Sequence, residues 1–226
     1  MGKIKLDSRL KAVASLVRQD SVIADIGTDH GYLPIYLLQK GIVKGAIAAD
    51  IGKEPLKNAE RSVCQYELTD KIKLRLSDGL REFSPDDAEE IIFAGMGGTL
   101  IAEKLKETDW IKTDKIHFIF QPQSRAEDLR EFLYDNGFTI LKELATHEAR
   151  RVYITLDAVY TGERTEYSIA DCFIGRLPHN EDAHKHISQQ LARLTKKYEA
   201  LTECGKAEET GALKETIDAL KEFING

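Results

Sequence analysis

The chain has 226 residues, of which 42% are hydrophobic and 31% charged, and its formal net charge at pH 7 is -6. This is the composition of an ordinary soluble globular protein, and the length suits one large domain or a domain of roughly 150 residues with a smaller one. The absence of any apolar run of about 18 residues excludes a transmembrane helix, and the first residues lack the apolar core of a signal peptide. The net negative charge, taken alone, argues weakly against a nucleic-acid partner.

The cysteines indicate a reducing environment. Cys64, Cys172 and Cys204 are odd in number, lie far apart and have no metal-ligand spacing. Such cysteines are typical of the reduced, structural residues of a cytosolic protein. We therefore expect a cytoplasmic protein without a metal site.

Up to residue 160 the hydrophobic pattern alternates between strands and helices. A first helix begins at Asp7 or Ser8, either of which caps it. The strands predicted after it cover residues 22–25, 46–50, 71–76, 90–94 and 115–120, and the helices between them cover residues 32–40, 54–67, 99–107 and 124–136. This alternation predicts an α/β fold with a mostly parallel, Rossmann-like sheet and right-handed crossovers.

The pattern changes twice after this region. Residues 138–148 and 151–160 are two strand-like segments joined by a short link, which predicts an antiparallel hairpin at the edge of the sheet. Residues 161–165 have the composition of a linker. We therefore expect a Rossmann-like domain over residues 1–165 and a small helical domain over residues 166–226.

The helical region has apolar residues at spacings of three and four. They are Ile187, Leu191, Leu194, Tyr198 and Leu201, and then, after a polar loop between Gly205 and Gly211, Leu213, Ile217, Leu220 and Ile224. Two such helices either form an antiparallel, coiled-coil-like hairpin or pack back on the sheet, and the period is equally consistent with both. The narrow apolar seams with charge all round favour a hairpin that largely buries itself.

The turn after the first strand reads D-I-G-T-D-H-G over residues 25–31, before a helix. Ligands bind at such a place, the carboxyl end of a strand in an α/β sheet. An NAD fingerprint needs a glycine where this turn has Asp29, and a carboxylate there would repel a diphosphate. Asp29, and Asp25 directly or through water, instead suit a ligand with a cationic centre, such as the amino-acid ammonium of S-adenosylmethionine. Gly27 and Gly31 complete this predicted cofactor turn.

Further candidates follow the next strands. Asp50, with Ile51 beside it, is placed to accept the hydroxyls of a ribose, and Asp78 and Gly79 are placed for the amino group of an adenine. Each acid alone has the alternative of a capping or solvated residue, but three acids in register at successive strand ends indicate a cofactor site. A fourth turn contains Gly95, Met96 and Gly97. It is either a floor for a flat group or simply a tight turn, and it lacks the Asn/Asp-Pro-Pro-Tyr/Phe motif of enzymes that methylate exocyclic amino groups.

Two segments are basic despite the acidic total. Residues 1–18 have five basic residues against one acid, and residues 183–197 have four basic residues and no acid. Each segment alone has the alternative of a solvated helix face, but together they favour contacts with a polyanion. The candidate phosphate contacts are Arg9, Lys11, Lys185, Arg193, Lys196 and Lys197.

Three motifs carry a resemblance to a known family. The sequence D-I-G-T-D-H-G-Y-L-P at residues 25–34, A-G-M-G-G at 94–98 and Q-P-Q at 121–123 resemble the bacterial tRNA (adenine-22-N1)-methyltransferase family. The resemblance spans the Rossmann-like part nearly end to end and extends more loosely to the C-terminal helices. It implies a class I methyltransferase fold, S-adenosylmethionine as methyl donor, and N1 of an adenine in the D-loop region of tRNA as acceptor.

This chemistry suggests roles for further residues. After transfer the adenine ring is cationic, and Asp29 is the first choice to stabilise that charge, with His30 and Tyr32 as neighbours that position the base. Asp29 has the alternative of holding the ammonium group of the cofactor. Gln121 and Gln123 either read the Watson–Crick edge of the base or cap the next helix at Ser124. We expect tRNA as partner, no membrane and no metal, and a monomer is favoured.

Two other functions remain open from the sequence. One is a methyltransferase that acts on a small molecule or a protein. The other is a non-catalytic S-adenosylmethionine-binding regulator whose helical hairpin is a dimerisation or partner arm. An NAD-dependent oxidoreductase is disfavoured by Asp29.

Overall fold

A computed structural model describes residues 2–205 and 210–226. Within these residues seven strands form one sheet, and they are β1 (Ser21–Ile26), β2 (Val43–Asp50), β3 (Ile72–Leu76), β4 (Glu90–Ala94), β5 (His117–Gln121), β6 (Phe138–Glu148) and β7 (Arg151–Tyr160). The strand order is β3-β2-β1-β4-β5-β7-β6. The first five strands of this order are parallel, and β7 pairs antiparallel with both β5 and β6. The predicted parallel sheet with an antiparallel edge hairpin is confirmed.

The described residues also form eight α-helices. They are α1 (Ser8–Leu16), α2 (Tyr32–Gln39), α3 (Lys53–Gln65), α4 (Gly98–Lys106), α5 (Ala126–Asp135), α6 (Ile169–Ile174), α7 (Glu181–Glu203) and α8 (Gly211–Asn225). Asp7 caps α1 by accepting a hydrogen bond from the backbone N–H of Leu10. The sequence analysis missed α6, whose local signal is a capping box between Ser168 and Asp171.

The two faces of the sheet have separate hydrophobic clusters. Neighbouring residues of one strand point to opposite faces, so Ile91 and Ile92 of β4 belong to different clusters although both are fully buried. One face is covered by α1, α2 and α3. The other is covered by α4, α5 and the C-terminal helices, around aromatic pairs such as Phe118 and Phe138, whose ring centroids are 5.5 Å apart.

The C-terminal helices show both arrangements that the sequence left open. α7 and α8 pack against each other, and α7 also packs against β6 and β7. Ala183, Ile187, Leu220 and Phe223 belong to the same hydrophobic cluster as the sheet residues beneath them. The helix pair therefore buries one side of itself on the sheet rather than standing apart. The predicted loop between Gly205 and Gly211 lies partly outside the described residues, at positions 206–209.

A buried ion pair connects this C-terminal region to the sheet. Arg130 of α5 and Glu143 of β6 are 1% exposed or less, and Arg130 Nη2 lies 2.6 Å from Glu143 Oε2. Arg130 Nη1 donates to the backbone oxygens of Cys172 and Phe173, which end α6. Gly175 passes so close that a Cβ there would lie 2.4 Å from Arg130 Nε. One guanidinium therefore joins α5, β6 and the end of α6.

A second ionic group, buried at Glu90 and His117, lies at the amino ends of the parallel strands. Glu90 Oε1 accepts from the backbone N–H and from Nε of Arg18, both at 2.9 Å. His117 Nε2 is hydrogen-bonded to Asp157, and its Nδ1 lies 3.6 Å from Glu90 Oε2. Burial alone would lower the pKa of His117, but the two carboxylates outweigh it and raise the pKa to about 9.

Candidate active site

A cleft of about 280 Å³ lies at the carboxyl end of β1. Its walls are the start of α1, the turn from β1 into α2, and the end of β4. The lining residues are Asp7, Arg9, Leu10, Asp25, Gly27, Thr28, Asp29, His30, Gly31, Tyr32, Leu33 and Ala94. The structure therefore places the predicted cofactor turn in a cavity, together with Arg9 from the basic N-terminal segment.

The backbone of this turn depends on its two glycines. Gly27 has φ +82° and Gly31 has φ +67°, a region that side-chain-bearing residues rarely adopt. A Cβ on Gly27 would also lie 3.2 Å from the sulfur of Met96. The backbone N–H of Gly31 donates to the Thr28 hydroxyl oxygen at 3.2 Å. This hydrogen bond between Gly31 and Thr28 helps to hold the turn closed.

Asp25 lies at the bottom of the cleft and is 6% exposed. Burial raises the pKa of its carboxyl to about 6, against the opposing effects of a hydrogen bond with Thr28 and the nearby Arg9. A buried carboxylate with a raised pKa is stabilised by any cation that enters the cleft. Asp25 is therefore suited to a cationic ligand group.

Asp29 and its neighbours lie at the mouth of the cleft. The Asp29 side chain is 71% exposed, and its Oδ2 lies 3.2 Å from Nε2 of His30. The His30 ring stacks on the Tyr32 ring with 5.0 Å between the centroids and 13° between the planes. The structure therefore brings the three predicted catalytic residues together as one polar and aromatic group at the entrance.

The acids after β2 and β3 are both partly engaged. Asp50 Oδ1 accepts a hydrogen bond of 2.7 Å from the backbone N–H of Gly52, and the neighbouring Ile51 is 68% exposed. Asp78 Oδ1 lies 2.8 Å from Nζ of Lys104, and this ion pair lowers the pKa of the Asp78 carboxyl.

Lys104 was missed by the sequence analysis, since it comes from α4. A Cβ on Gly79 would lie 2.7 Å from the Lys104 stem, so Gly79 makes room for the lysine. An adenine amino group at Asp78 would therefore share the carboxylate with Lys104.

The turn after β4 packs against the protein's own backbone. Gly95 has φ +97°, and a Cβ on Gly98 would lie 2.1 Å from the backbone oxygen of Arg125. The backbone N–H of Gly98 donates to the backbone oxygen of Ser124 at 2.8 Å. The turn was expected to be either a tight turn or a floor for a flat group. Gly98 shows the close backbone packing of a tight turn. Gly95, Met96 and Gly97 stay available as a floor beside Gly27.

Gln121 and Ser124 differ from their predicted roles. Gln121 is fully buried, its Oε1 accepts from Nη1 of Arg9 at 2.7 Å and its Nε2 donates to the Pro122 oxygen. Both amide atoms are engaged inside the protein, which corrects the expectation that Gln121 contacts a base or caps a helix. The next helix, α5, begins at Ala126, and its N-cap residue is Arg125 rather than Ser124. Arg125 has φ +58° and its side chain makes no capping hydrogen bond.

Gln123 lies closer to the cleft. Its backbone N–H donates to the Met96 oxygen at 2.8 Å, and its Nε2 lies 3.8 Å from the Cβ position of Gly95. It remains a candidate for a contact with the base.

The two basic segments meet at the tip of the β6–β7 hairpin. The backbone N–H of Ser8 donates to Glu148 Oε2 at 2.6 Å, and Lys185 Nζ lies 2.9 Å from His147 Nε2. The predicted phosphate contacts Lys11, Lys185, Arg193, Lys196 and Lys197 are exposed, and Arg9 is the one that points into the cleft. The hairpin adds the exposed residues Arg150 and Arg151, which the sequence analysis missed because they belong to neither basic segment.

The described part of the chain contains neither a metal-binding cluster nor a membrane-spanning helix. No group of three or more His, Cys, Asp or Glu side chains among residues 2–205 and 210–226 is arranged to hold a metal ion. None of the helices in this part of the chain is long and apolar enough to cross a membrane.

Comparisons with known proteins agree with this geometry. Residues 6–156 match a family model described as a methyltransferase domain. The tRNA (adenine(22)-N(1))-methyltransferase of Bacillus subtilis (strain 168) is 33% identical over 237 aligned residues, which cover 100% of this chain and 99% of the relative.

Solved structures give the same result. The crystal structure of the B. subtilis m1A22 tRNA methyltransferase TrmK has a TM-score of 0.88 and 30% identity, covering 98% of this chain and 100% of the other. The structure of Streptococcus pneumoniae Sp1610, a putative tRNA (m1A22) methyltransferase in complex with S-adenosyl-L-methionine, has a TM-score of 0.81 and 33% identity, covering 97% and 100% of the two chains. The expected class I methyltransferase fold is confirmed, and the chain belongs to the tRNA (adenine-22-N1)-methyltransferase family.

Proposed function

We propose that this protein transfers the methyl group of S-adenosylmethionine to N1 of adenine 22 in tRNA. The observation that carries the proposal is the full-length similarity to a tRNA (adenine(22)-N(1))-methyltransferase. Because that similarity covers 100% of this chain, it includes the C-terminal helices as well as the cleft. A methyltransferase that shared only the catalytic fold would match the first part of the chain alone.

The cleft and the neighbouring end of β2 fit the methyl donor. S-adenosylmethionine, when bound, supplies an electrophilic sulfonium methyl group. Asp25 is a buried carboxylate suited to the ammonium group of the donor, and the second oxygen of Asp50 is available for a ribose hydroxyl beside the exposed Ile51. Gly27, with its φ of +82°, keeps the backbone of the turn open to a bound group.

For methylation at N1 of adenine, the protein mainly has to align the base with the methyl group and stabilise the positive charge that develops. N1 of a neutral adenine has an in-plane lone pair, so no base has to remove a proton before the attack. N1 lies on the pairing edge, so the target must be unpaired or extruded before it reacts. The ring becomes cationic as the bond forms, and a carboxylate near the base stabilises this charge.

The two acids of the β1–α2 turn suit different roles. Asp25 is buried at the bottom of the cleft, whereas Asp29 is exposed at its mouth beside the stacked rings of His30 and Tyr32. We assign Asp25 to binding the ammonium group of the methyl donor. We assign Asp29 to stabilising the positive charge that develops on the base. His30 and Tyr32 then position the adenine by stacking.

The basic surface fits a folded RNA. We propose that residues 166–226 act as a tRNA-binding unit through Lys185, Arg193, Lys196 and Lys197, with Lys11 on the other side of the hairpin tip. Lysine and arginine contacts with phosphates set affinity and orientation but not sequence. A cytoplasmic location follows from this substrate, and burial that raises the pKa of the Cys172 thiol to about 12 is consistent with a reduced cysteine.

The direct test is methylation of an unmodified tRNA transcript in the presence of labelled S-adenosylmethionine. We expect label in the RNA and a primer-extension stop at adenine 22, because N1-methyladenine cannot pair. A transcript with guanine at position 22 is the control. Donor binding without label in any tRNA would favour a non-catalytic binding protein, and label only in a protein or small molecule would favour the other methyltransferase class.

A further inference from the structure

A second cavity of about 230 Å³ lies beside the candidate active site. Three segments form it: the stretch from Pro122 to Glu127 after β5, the start of β7, and the first half of α7. Nothing in the sequence analysis or the proposed function uses this cavity. Its position and its lining indicate a ligand.

The cavity shares a wall with the methyl-transfer cleft. Gln123 lines the second cavity, and its backbone N–H donates to the Met96 oxygen at 2.8 Å. The sulfur of Met96 lies 3.2 Å from the Cβ position of Gly27, which lines the first cleft. The two cavities are therefore connected through direct contacts of Met96, which lies in the turn that follows β4.

The lining is rich in uncharged polar groups. Gln123, Gln189 and Gln190 all line the cavity, and each carboxamide offers both donors and an acceptor. Gln190 Oε1 is buried and accepts no hydrogen bond from the described residues. His186 is also there, and burial, with Arg130 and Arg193 nearby, lowers its pKa to about 4, so the ring is neutral at physiological pH.

The remaining groups provide a ring and a positive charge. Tyr153 is partly exposed in the wall formed by β7, next to Arg151, which is exposed and has no salt bridge with a described residue. The carboxylate that lines the cavity, Glu127, is held by Arg193 at 2.8 Å. An aromatic ring, several amides and one unpaired arginine are the groups with which proteins bind single-stranded nucleotides.

We propose that this cavity receives one unpaired nucleotide of the substrate RNA next to the target adenine, with its base against Tyr153 and the glutamine amides and its phosphate at Arg151. The inference rests on the proposed function. An adenine that is extruded to expose N1 leaves its neighbour unstacked, and a protein ring restores part of the lost stacking. A site for a phosphate alone would require more cations than one unpaired arginine.

The test combines protein variants with altered RNA in a double-mutant cycle. Two tRNA transcripts are prepared, each with an abasic site at one of the nucleotides flanking adenine 22. They are methylated by the wild-type protein, by Tyr153→Leu and by Gln189→Ala, with kcat/KM as the readout. Gln65→Ala, the same change at an exposed helix position outside the cavity, is the control, and calorimetry with S-adenosylmethionine shows that each variant is folded.

We expect one of the two abasic transcripts to lower kcat/KM of the wild type by about tenfold. Tyr153→Leu is expected to lower kcat/KM on the intact transcript by a similar factor, and the same abasic site then has no further effect. Gln189→Ala gives a smaller loss with the same lack of additivity, and Gln65→Ala changes nothing.

The inference would be overturned if the losses in kcat/KM from the protein variant and from the abasic site multiplied. Full activity of both cavity variants would also overturn it. Either result would leave the proposed function intact. Failure of the wild type to methylate any transcript would instead remove the proposed function, and the inference with it.

Discussion

Asp25 and Asp29 lie four residues apart on one turn, yet their surroundings differ in nearly every respect. Asp25 is buried at the bottom of the cleft and has a raised pKa of about 6, while Asp29 is exposed and paired with His30. An acid buried in a cleft gains most from a cation that arrives with the ligand, whereas an exposed acid is screened by water until a substrate covers it. The roles of the two residues can therefore be distinguished by experiment.

We expect donor binding to depend on pH through Asp25. The carboxyl of the free protein loses its charge as the pH falls through about 6, so affinity for S-adenosylmethionine should fall below that pH and reach a plateau above it. Asp25→Asn should bind about tenfold to a hundredfold more weakly at pH 7.5, as expected for a lost charged hydrogen bond. Calorimetry between pH 5 and 8 measures both effects, and a pH dependence that survives in Asp25→Asn would contradict the assignment.

Asp29→Asn is expected to affect turnover rather than donor binding. The amide keeps the shape of the carboxylate but not its charge, so kcat for tRNA methylation should fall by about tenfold or more. The dissociation constant of S-adenosylmethionine should stay within about twofold of the wild type. If donor affinity falls as much as kcat, Asp29 holds the cofactor, the alternative that the sequence left open.

At the scale of elements, the C-terminal helices are attached to the sheet by specific contacts. Arg130 joins α5, β6 and the end of α6, and the hydrophobic cluster beneath α7 and α8 is continuous with that of the sheet. Removing the helices would therefore expose apolar surface of α5, β6 and β7. Single substitutions in the full chain are better tests of this region than truncation.

Arg130→Met should lower the free energy of unfolding by about 3–5 kcal/mol, because Glu143 is left buried without a partner. The double variant Arg130→Met with Glu143→Leu should recover much of this loss. Arg125→Met, which removes an exposed pair with Asp128, is the matched control and should cost about 1 kcal/mol or less. Urea unfolding measures all three, and equal losses for Arg130→Met and Arg125→Met would contradict the role of the buried pair.

The exposed lysines of α7 should contribute to RNA affinity alone. Replacing Lys196 and Lys197 by alanine should weaken tRNA binding and reduce the slope of log affinity against log salt by about one for each phosphate that is no longer neutralised. Lys221→Ala on α8, which removes a lysine paired with Asp218 at 3.0 Å, is the control. Filter binding at several salt concentrations provides the slopes. An unchanged slope in the double variant would place the RNA elsewhere.

At the scale of the whole molecule, the two ends of the parallel strands have different functions. The cleft lies at the carboxyl ends of the parallel strands, and the ionic group of Arg18, Glu90, His117 and Asp157 lies at their amino ends, with Glu90 and His117 buried. This group is far from any reacting atom, so its contribution is to stability.

The raised pKa of His117 predicts how stability depends on pH. A histidine with a folded pKa of about 9 and an unfolded pKa of 6.5 contributes stability fully below pH 6.5, and the contribution is lost as the pH rises through 9. Urea unfolding should therefore show about 1–3 kcal/mol less stability at pH 9.5 than at pH 6.5 from this group. His117→Gln should lose that part of the pH dependence, and equal slopes in both proteins would contradict the role of His117.

The sequence predicts most of the strands and helices because these elements depend on local signals. The alternation of strands and helices is visible in the spacing of apolar residues, and each acid at a strand end is found where the strand pattern stops. The residues alone predicted the Rossmann-like fold and suggested S-adenosylmethionine as a ligand, and the family resemblance added the acceptor atom and its place in tRNA. The short helix α6 was missed because six residues are too few for a periodic pattern.

What the sequence could not predict are contacts between distant segments. Arg9 was assigned to phosphates, yet the fold turns it into the cleft towards Gln121, which is 112 positions away. Lys104 lies beside Asp78 only because α4 passes the end of β3. Arg125 is left-handed and its carbonyl oxygen packs closely against Gly98, a contact between the turns after β4 and β5 that no helix-cap rule anticipates.

The contacts of Ser8 and Arg9 also bear on how the protein is made. Ser8 binds Glu148, 140 positions later, and Arg9 binds Gln121, 112 positions later, so these two contacts of α1 require β5 and β6 to be in place. Closing loops of this length costs conformational entropy, which is regained only when the distant partners of α1 are in place. We therefore expect the wall that α1 gives to the cleft to be among the last parts of the site to assemble. We expect the cleft to be complete only after the hairpin of β6 and β7 has formed.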